Sequence, residues 1–156
     1  MAIPTVGIAI LTRDRPGVLD STLAHNSAVL WQNTPIHVWD NGTREYADEV
    51  CKKYPSVTYH RTDRDLPYDE SFMNALRNTP GDFVWVLSDR IVISVGAVPY
   101  MLDHINRIPC SAVIMGFGGR LSNLATNYVD SDPSNLLKTV GWHTTLCGST
   151  IYSREL

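Results

Sequence analysis

Three short clusters in this chain hold side chains that could do chemistry together: Thr12-Arg13-Asp14-Arg15, Asp40-Asn41-Gly42 and Ser88-Asp89-Arg90. Each closes an apolar run: Val6–Thr12, Pro35–Asp40, and a segment ending in Val84-Trp85-Val86-Leu87. A buried strand that delivers an acid to its carboxyl end builds a polar site on an α/β sheet. Asp89 is the candidate there for a metal ion. Arg90 stands where a second carboxylate would be expected if the site held a divalent ion. A guanidinium in that place either neutralises a phosphate directly, with bidentate geometry, or repels the ion from Asp89. Ser88 is no substitute for a carboxylate as a strong ligand.

The elements that must position these residues follow from periodicity. Val6–Thr12 reads as a buried strand. Asp14-Arg15-Pro16 offers a helix start, with an acidic cap and a proline in the first turn. Val18, Leu19, Thr22, Leu23, Val29 and Leu30 then form a helical face. Pro35–Asp40 is a second strand, closed by the turn signal Asn41-Gly42. Glu45–Tyr54 carries a 3.6-residue spacing and predicts a second helix. Val57–His60 is a third strand and Tyr68–Arg77 a third helix. Asp82–Leu87 is the fourth strand, with Trp85 turned into the core. A helix over Ala97–Ile108, a strand over Ser111–Phe117 and a last strand from Thr150 complete the reading. Alternation of strand and helix implies parallel strands, right-handed crossovers and helices on both faces. The expected fold class is therefore α/β, one Rossmann-like domain with a mainly parallel sheet. Ligands of such sheets bind beyond the carboxyl ends of the strands, where the three clusters converge.

Composition narrows the partners. The chain has 156 residues, enough for one domain with a real core. A net charge of −3 gives no electrostatic case for nucleic acid or an anionic membrane. No apolar run approaches the length that spans a bilayer. Met1–Leu11 lacks the basic flank of a signal peptide and reads as a strand. Cys51, Cys110 and Cys147 form neither a disulfide framework nor a zinc motif, so a reducing, cytoplasmic setting is expected. The five histidines show no metal-ligand spacing.

A dinucleotide cleft requires glycines in the first strand-to-helix turn, and Thr12-Arg13-Asp14-Arg15-Pro16-Gly17 lacks that fingerprint. No phosphate-binding P-loop occurs, and no organic cofactor is expected. The turn Leu11-Thr12-Arg13-Asp14-Arg15-Pro16, the strand end Trp39-Asp40-Asn41-Gly42-Thr43, Asn74 before Thr79-Pro80-Gly81-Asp82, and Trp85-Val86-Leu87-Ser88-Asp89 fall in one order and spacing. Together they resemble the nucleotide-binding part of a GT-A glycosyltransferase of the large inverting family two. The likeness covers about the first hundred residues, with a weaker match at Gly148–Leu156. It implies a GT-A core over 1–117, an acceptor-side loop over 118–148 and a final strand over 149–156. It further implies attack of an acceptor hydroxyl on a nucleoside-diphosphate sugar, with Mg²⁺ or Mn²⁺ on the leaving group in most members.

On this resemblance, Asp40 bonds the base or ribose, Thr12 and Arg13 line the base pocket with Asp14 as a further nucleotide-sugar contact, and Asn74 reaches the donor sugar. Arg15, Ser88, Asp89 and Arg90 lie at the diphosphate, and Asp89 is the one metal candidate. The residues themselves allow plainer roles: Asp40 as a turn former, Asp14 as a helix cap, Arg15 as a surface ion pair. Asp65 and Asp69 read as solvated. Family members usually continue into a helix whose acidic motif supplies the base, and the stated sequence ends before it. Asp130, Asp132 or His143 would then serve, with Trp142 beside His143, or a second subunit would complete the site as a homo-oligomer. The alternative is a non-catalytic nucleotide or nucleotide-sugar binding module.

Overall fold

The structure, a computed structural model, describes residues 4–29, 34–107, 112–114 and 150–153. The chain runs β1 (Val6–Thr12), α1 (Pro16–Val29), β2 (Ile36–Asp40), α2 (Asp48–Cys51), β3 (Val57–Arg61), α3 (Tyr68–Asn78), β4 (Phe83–Ser88), α4 (Ala97–Arg107), β5 (Ala112–Ile114) and β6 (Thr150–Ser153). The sheet order is β3-β2-β1-β4-β6-β5. β3, β2, β1 and β4 are mutually parallel, as the strand–helix alternation predicts. β6 lies antiparallel between β4 and β5.

Every residue of β1 and β2 is buried. That is the condition of central strands covered on both faces, and it explains their unbroken apolar runs. On one face Ile8, Ile10, Val38, Trp85 and Leu87 meet Leu19 and Leu23 of α1, Cys51 of α2 and Met101 of α4. On the other, Ala9, Leu11, Trp39, Val84 and Val86 meet Ala75, Phe72 and Leu76 of α3. Ile8, Ile10, Leu19, Leu23 and Leu87 are wholly enclosed. Each such side chain contributes about 1.5–3 kcal/mol relative to exposure. Where β1 passes the turn into β4, no side chain fits: a Cβ on Gly7 would stand 1.9 Å from the Pro80 carbonyl oxygen. Gly81, at φ +135°, makes that turn possible.

Two local expectations are corrected. The second helix does not run over Glu45–Tyr54; α2 holds only Asp48–Cys51. Amide groups of residues 42–45 and of Ala47 are taken by the carboxylates of Asp14 and Asp40, which wrap the segment as a loop. On α1 Val18 is 38% exposed, while Leu19, Thr22, Leu23 and Asn26 face inward. Two polar residues thus sit on the buried face. No helix among the described residues is long and apolar enough to cross a membrane. The 118–148 region and its boundaries lie outside the described residues.

Candidate functional site

β1 lies between β2 and β4, so the three clusters meet at the carboxyl edge of the sheet. The ladder continues past the strands: Asn41 donates its N–H to the Thr12 carbonyl at 3.0 Å, and Asp89 donates to the Leu11 carbonyl at 3.0 Å. The convergence expected from the sequence is present. Most of the individual side chains have partners within the protein.

Asp89 is fully buried. Its Oδ1 accepts from Arg15 Nη2 at 2.8 Å and from Ser88 Oγ at 3.2 Å, and its Oδ2 accepts from Thr12 Oγ1 at 2.9 Å. An unpaired carboxylate at this depth would be strongly disfavoured, and the guanidinium offsets that cost. Asp89 is thus an internal counter-ion, not an acid open to a metal or a sugar. The side chain of Arg15 is 36% exposed, so it reaches from the buried acid to the surface of the cleft. The backbone that carries Asp89 is fixed by α1. Thr22 Oγ1 donates to the Asp89 carbonyl at 2.6 Å. Asn26 donates to the Ile91 carbonyl at 3.1 Å and accepts from the Ile93 N–H at 2.8 Å. Sequence reading placed Thr22 on the helix face but gave neither residue this role. The available signal was two polar residues, four apart, flanking Leu23.

Asp40 is also enclosed, at 1% exposure. Its Oδ1 accepts from the Gly42 N–H at 2.8 Å. Its Oδ2 accepts from the Ala47 N–H at 2.8 Å and from the Tyr59 hydroxyl at 3.0 Å. Burial, and then the bond to Asp40, push the Tyr59 phenol well above its ordinary range, which keeps it a donor. Asp40 therefore organises its own loop; the plainer turn-forming role is the one its contacts display. Asn41 does more than mark a turn. Its amide donates to the Leu66 carbonyl at 2.7 Å and accepts from the Leu66 N–H at 2.9 Å, tying down the segment between β3 and α3.

Asp14 does not cap α1. At φ +52° it turns away from the helix, and its Oδ1 accepts from the N–H groups of Thr43, Arg44 and Glu45 at 2.8, 2.7 and 3.1 Å. Those bonds, Arg44's first, hold its carboxyl down at about 2. The Arg15 carbonyl instead receives the first amides of α1, from Val18 and Leu19, at 3.1 Å each. Arg13 pairs with Asp65 at 2.8 Å, both half-exposed, so Asp65 is not merely solvated. Asn74 lies past the middle of α3, and its Oδ1 accepts from Asn78 at 2.9 Å. α3 covers one face of the sheet, where Ala75, Phe72 and Leu76 pack. Arg90 is exposed, and its N–H donates to Ser88 Oγ at 3.4 Å. Cys51 is buried, and burial first, then Asp40, push its thiol up to about 12. Asp130, Asp132, Trp142 and His143 lie outside the described residues.

The described residues do not fit a divalent ion. The one acid expected to hold it is buried on a guanidinium, and a second arginine follows it. Among the described residues no group of three or more His, Cys, Asp or Glu side chains converges.

The family model described as Glycosyl transferase family 2 matches residues 8–154. No curated protein sequence matches the chain significantly. Among solved structures, the chain is similar to the mannosyltransferase PcManGT from Pyrobaculum calidifontis, solved with GDP-Man and Mn²⁺, at TM-score 0.68 and 13% identity. That likeness covers 99% of this chain and 46% of the other. It is similar to S. aureus TarS 1-349 in complex with UDP-GlcNAc, at TM-score 0.72 and 13% identity, over 96% of this chain and 45% of that one. It also resembles mannosyl-3-phosphoglycerate synthase from Rubrobacter xylanophilus, at TM-score 0.67 and 16% identity, over 97% of this chain and 54% of that one. At these identities the likeness shows the GT-A fold. The chain spans about half the length of the structures it matches.

Proposed function

Because the chain belongs to glycosyl transferase family 2, we propose that its carboxyl-edge cleft binds a nucleoside-diphosphate sugar and that the protein transfers the sugar to an acceptor hydroxyl with inversion. One observation carries the reading. The turn after β1 and the turn after β4 are joined through Asp89, and the join leaves Arg15 and Arg90 on the side of the sheet where such folds bind ligands. Two guanidinium groups there suit a diphosphate. Thr12 and Arg13, at the end of β1, are the candidates beside the base, with Arg13 held by Asp65.

In the transfer, the acceptor oxygen forms a bond to the anomeric carbon as the bond from that carbon to the diphosphate breaks. The nucleoside diphosphate leaves with the bonding electrons, and the acceptor proton passes to a base. Arginines near the leaving oxygens stabilise the charge that develops on them. Asp130, Asp132 and His143 remain the candidate bases, and a cytoplasmic setting and a homo-oligomer the proposed context. Relatives solved with GDP-Man or UDP-GlcNAc make guanine and uracil nucleotides the first donors to test.

A second reading is favoured by one observation, the unfit of the described acids for a metal: the domain holds a nucleotide sugar without transferring it. Incubation with a panel of radiolabelled nucleotide sugars, with and without Mn²⁺, separates the two. Release or transfer of the sugar supports the enzyme. Saturable binding with neither supports the module. No binding of any nucleotide removes both.

A further inference from the structure

We infer that the cleft recognises a diphosphate without a metal ion, because Arg15 occupies the place of the ion, and that Asp89 is the positioning residue that holds Arg15 there. The inference rests on the reading of the cleft as a nucleotide-sugar site.

Asp89 cannot itself touch a ligand in this arrangement. It is fully buried, and its oxygens face Arg15, Ser88 and Thr12. A divalent ion that used Asp89 would have to displace Arg15 from it, with a second cationic residue, Arg90, next in the chain. Coulomb repulsion opposes that arrangement, and the buried acid already has its cation. The charge at this corner is therefore built into the chain.

Arg15 is suited to face outward as well as inward. A guanidinium carries five N–H donors in a rigid fork. One of its nitrogens lies on Asp89, and the side chain is about one-third exposed. The residue immediately precedes α1, and α1 has no acid in its first turn to oppose an anion. The remaining donors thus sit at the carboxyl edge with no competing carboxylate on that helix turn.

The pair is also held still. Thr12 ends β1, Ser88 ends β4, and both hydroxyls bond the carboxylate. Thr22 fixes the carbonyl of Asp89 from α1. A donor fixed before its ligand arrives loses less freedom on binding. Asp89 acts through Arg15, and its charge serves to orient that fork.

The test is calorimetric titration of the full chain with UDP and GDP, in EDTA and in Mn²⁺, alongside uridine and guanosine followed by saturation-transfer NMR. Diphosphate affinity is expected to agree within about twofold between EDTA and Mn²⁺. Arg15→Lys keeps a cation on Asp89 but loses the planar fork. It should weaken diphosphate binding by about tenfold while nucleoside binding is unchanged. Asp89→Asn keeps the shape but drops the charge, and should weaken diphosphate binding selectively in the same way. A merely structural role for Asp89 would lower nucleoside and diphosphate binding together, and that result overturns its assignment. If Asp89→Asn does not fold, Arg15→Lys decides. Diphosphate binding that requires Mn²⁺, or that Arg15→Lys leaves untouched, overturns the inference while the nucleotide-sugar reading stands. Absence of diphosphate binding in both conditions overturns both.

Discussion

Asp40 and Asp89 stand on either side of the β1 terminus, each within a residue of the end of a parallel strand and each almost completely enclosed. Their carboxylates are satisfied in opposite ways. Asp40 is held by two backbone amides and a phenol, all neutral donors. Asp89 is held by a guanidinium and two hydroxyls. Neutral donors drawn from the adjoining loop and strand turn an acid inward, and its work ends with the shape of that loop. A cationic partner with a fork of donors extends from the buried acid to the surface, so the acid can affect what binds there. Two aspartates in similar places in the sequence therefore belong to different parts of the molecule's business.

The widest gap between them should appear when the partner is removed. Arg15→Ala leaves Asp89 buried without its cation, and a loss of about 3 kcal/mol in urea unfolding at pH 7 is expected, toward the lower end for broken buried pairs because Arg15 is partly exposed. Tyr59→Phe takes one neutral donor from Asp40 and should cost about 1 kcal/mol in the same measurement. Equal losses would erase the distinction between the two acids. The smallest effect concerns Asp14, a third acid satisfied by amides, at the surface. Its carboxyl titrates at about 2 against an ordinary 3.8. A depressed carboxyl stabilises the fold above its unfolded value and loses that contribution as it is protonated. Stability should therefore fall between about pH 4 and pH 2, and Asp14→Ala should flatten that part of the curve. An unchanged acid slope in the variant would show that the loop at residues 43–45 does not depend on the charge.

Much of the frame was legible in the sequence because it depends on local pattern. The unbroken apolar runs of Val6–Thr12 and Pro35–Asp40 belong to strands buried on both faces, and the alternation with helices dictates parallel neighbours. Strand order then brings Thr12, Asp40 and Asp89 together. The partners of those residues were not legible. Asp14 looks like a cap because it precedes Pro16, yet a single positive φ sends it to residues 43–45. The span Glu45–Tyr54 has helical spacing, but Asp14 and Asp40 bind amides over its approach and first residues. Arg15 is separated from Asp89 by 74 positions, and only the pairing of β1 with β4 brings them into contact. Periodicity reports which face a residue lies on. It does not report which charge it will meet.

Asn26 gives the segment after β4 an unexpected standing in time. Ile93 is 2% exposed, and its N–H is bonded to a side chain of α1 instead of to its own loop. Connecting segments usually open in small local fluctuations, whereas this one can release that amide only if α1 lets go of it. Hydrogen exchange at Ile93 should then be slow, on the scale of the core helix and not of a surface turn. Adjustment of the cleft around a ligand would fall to other parts of the rim, while the 89–93 segment and α1 keep pace as one body.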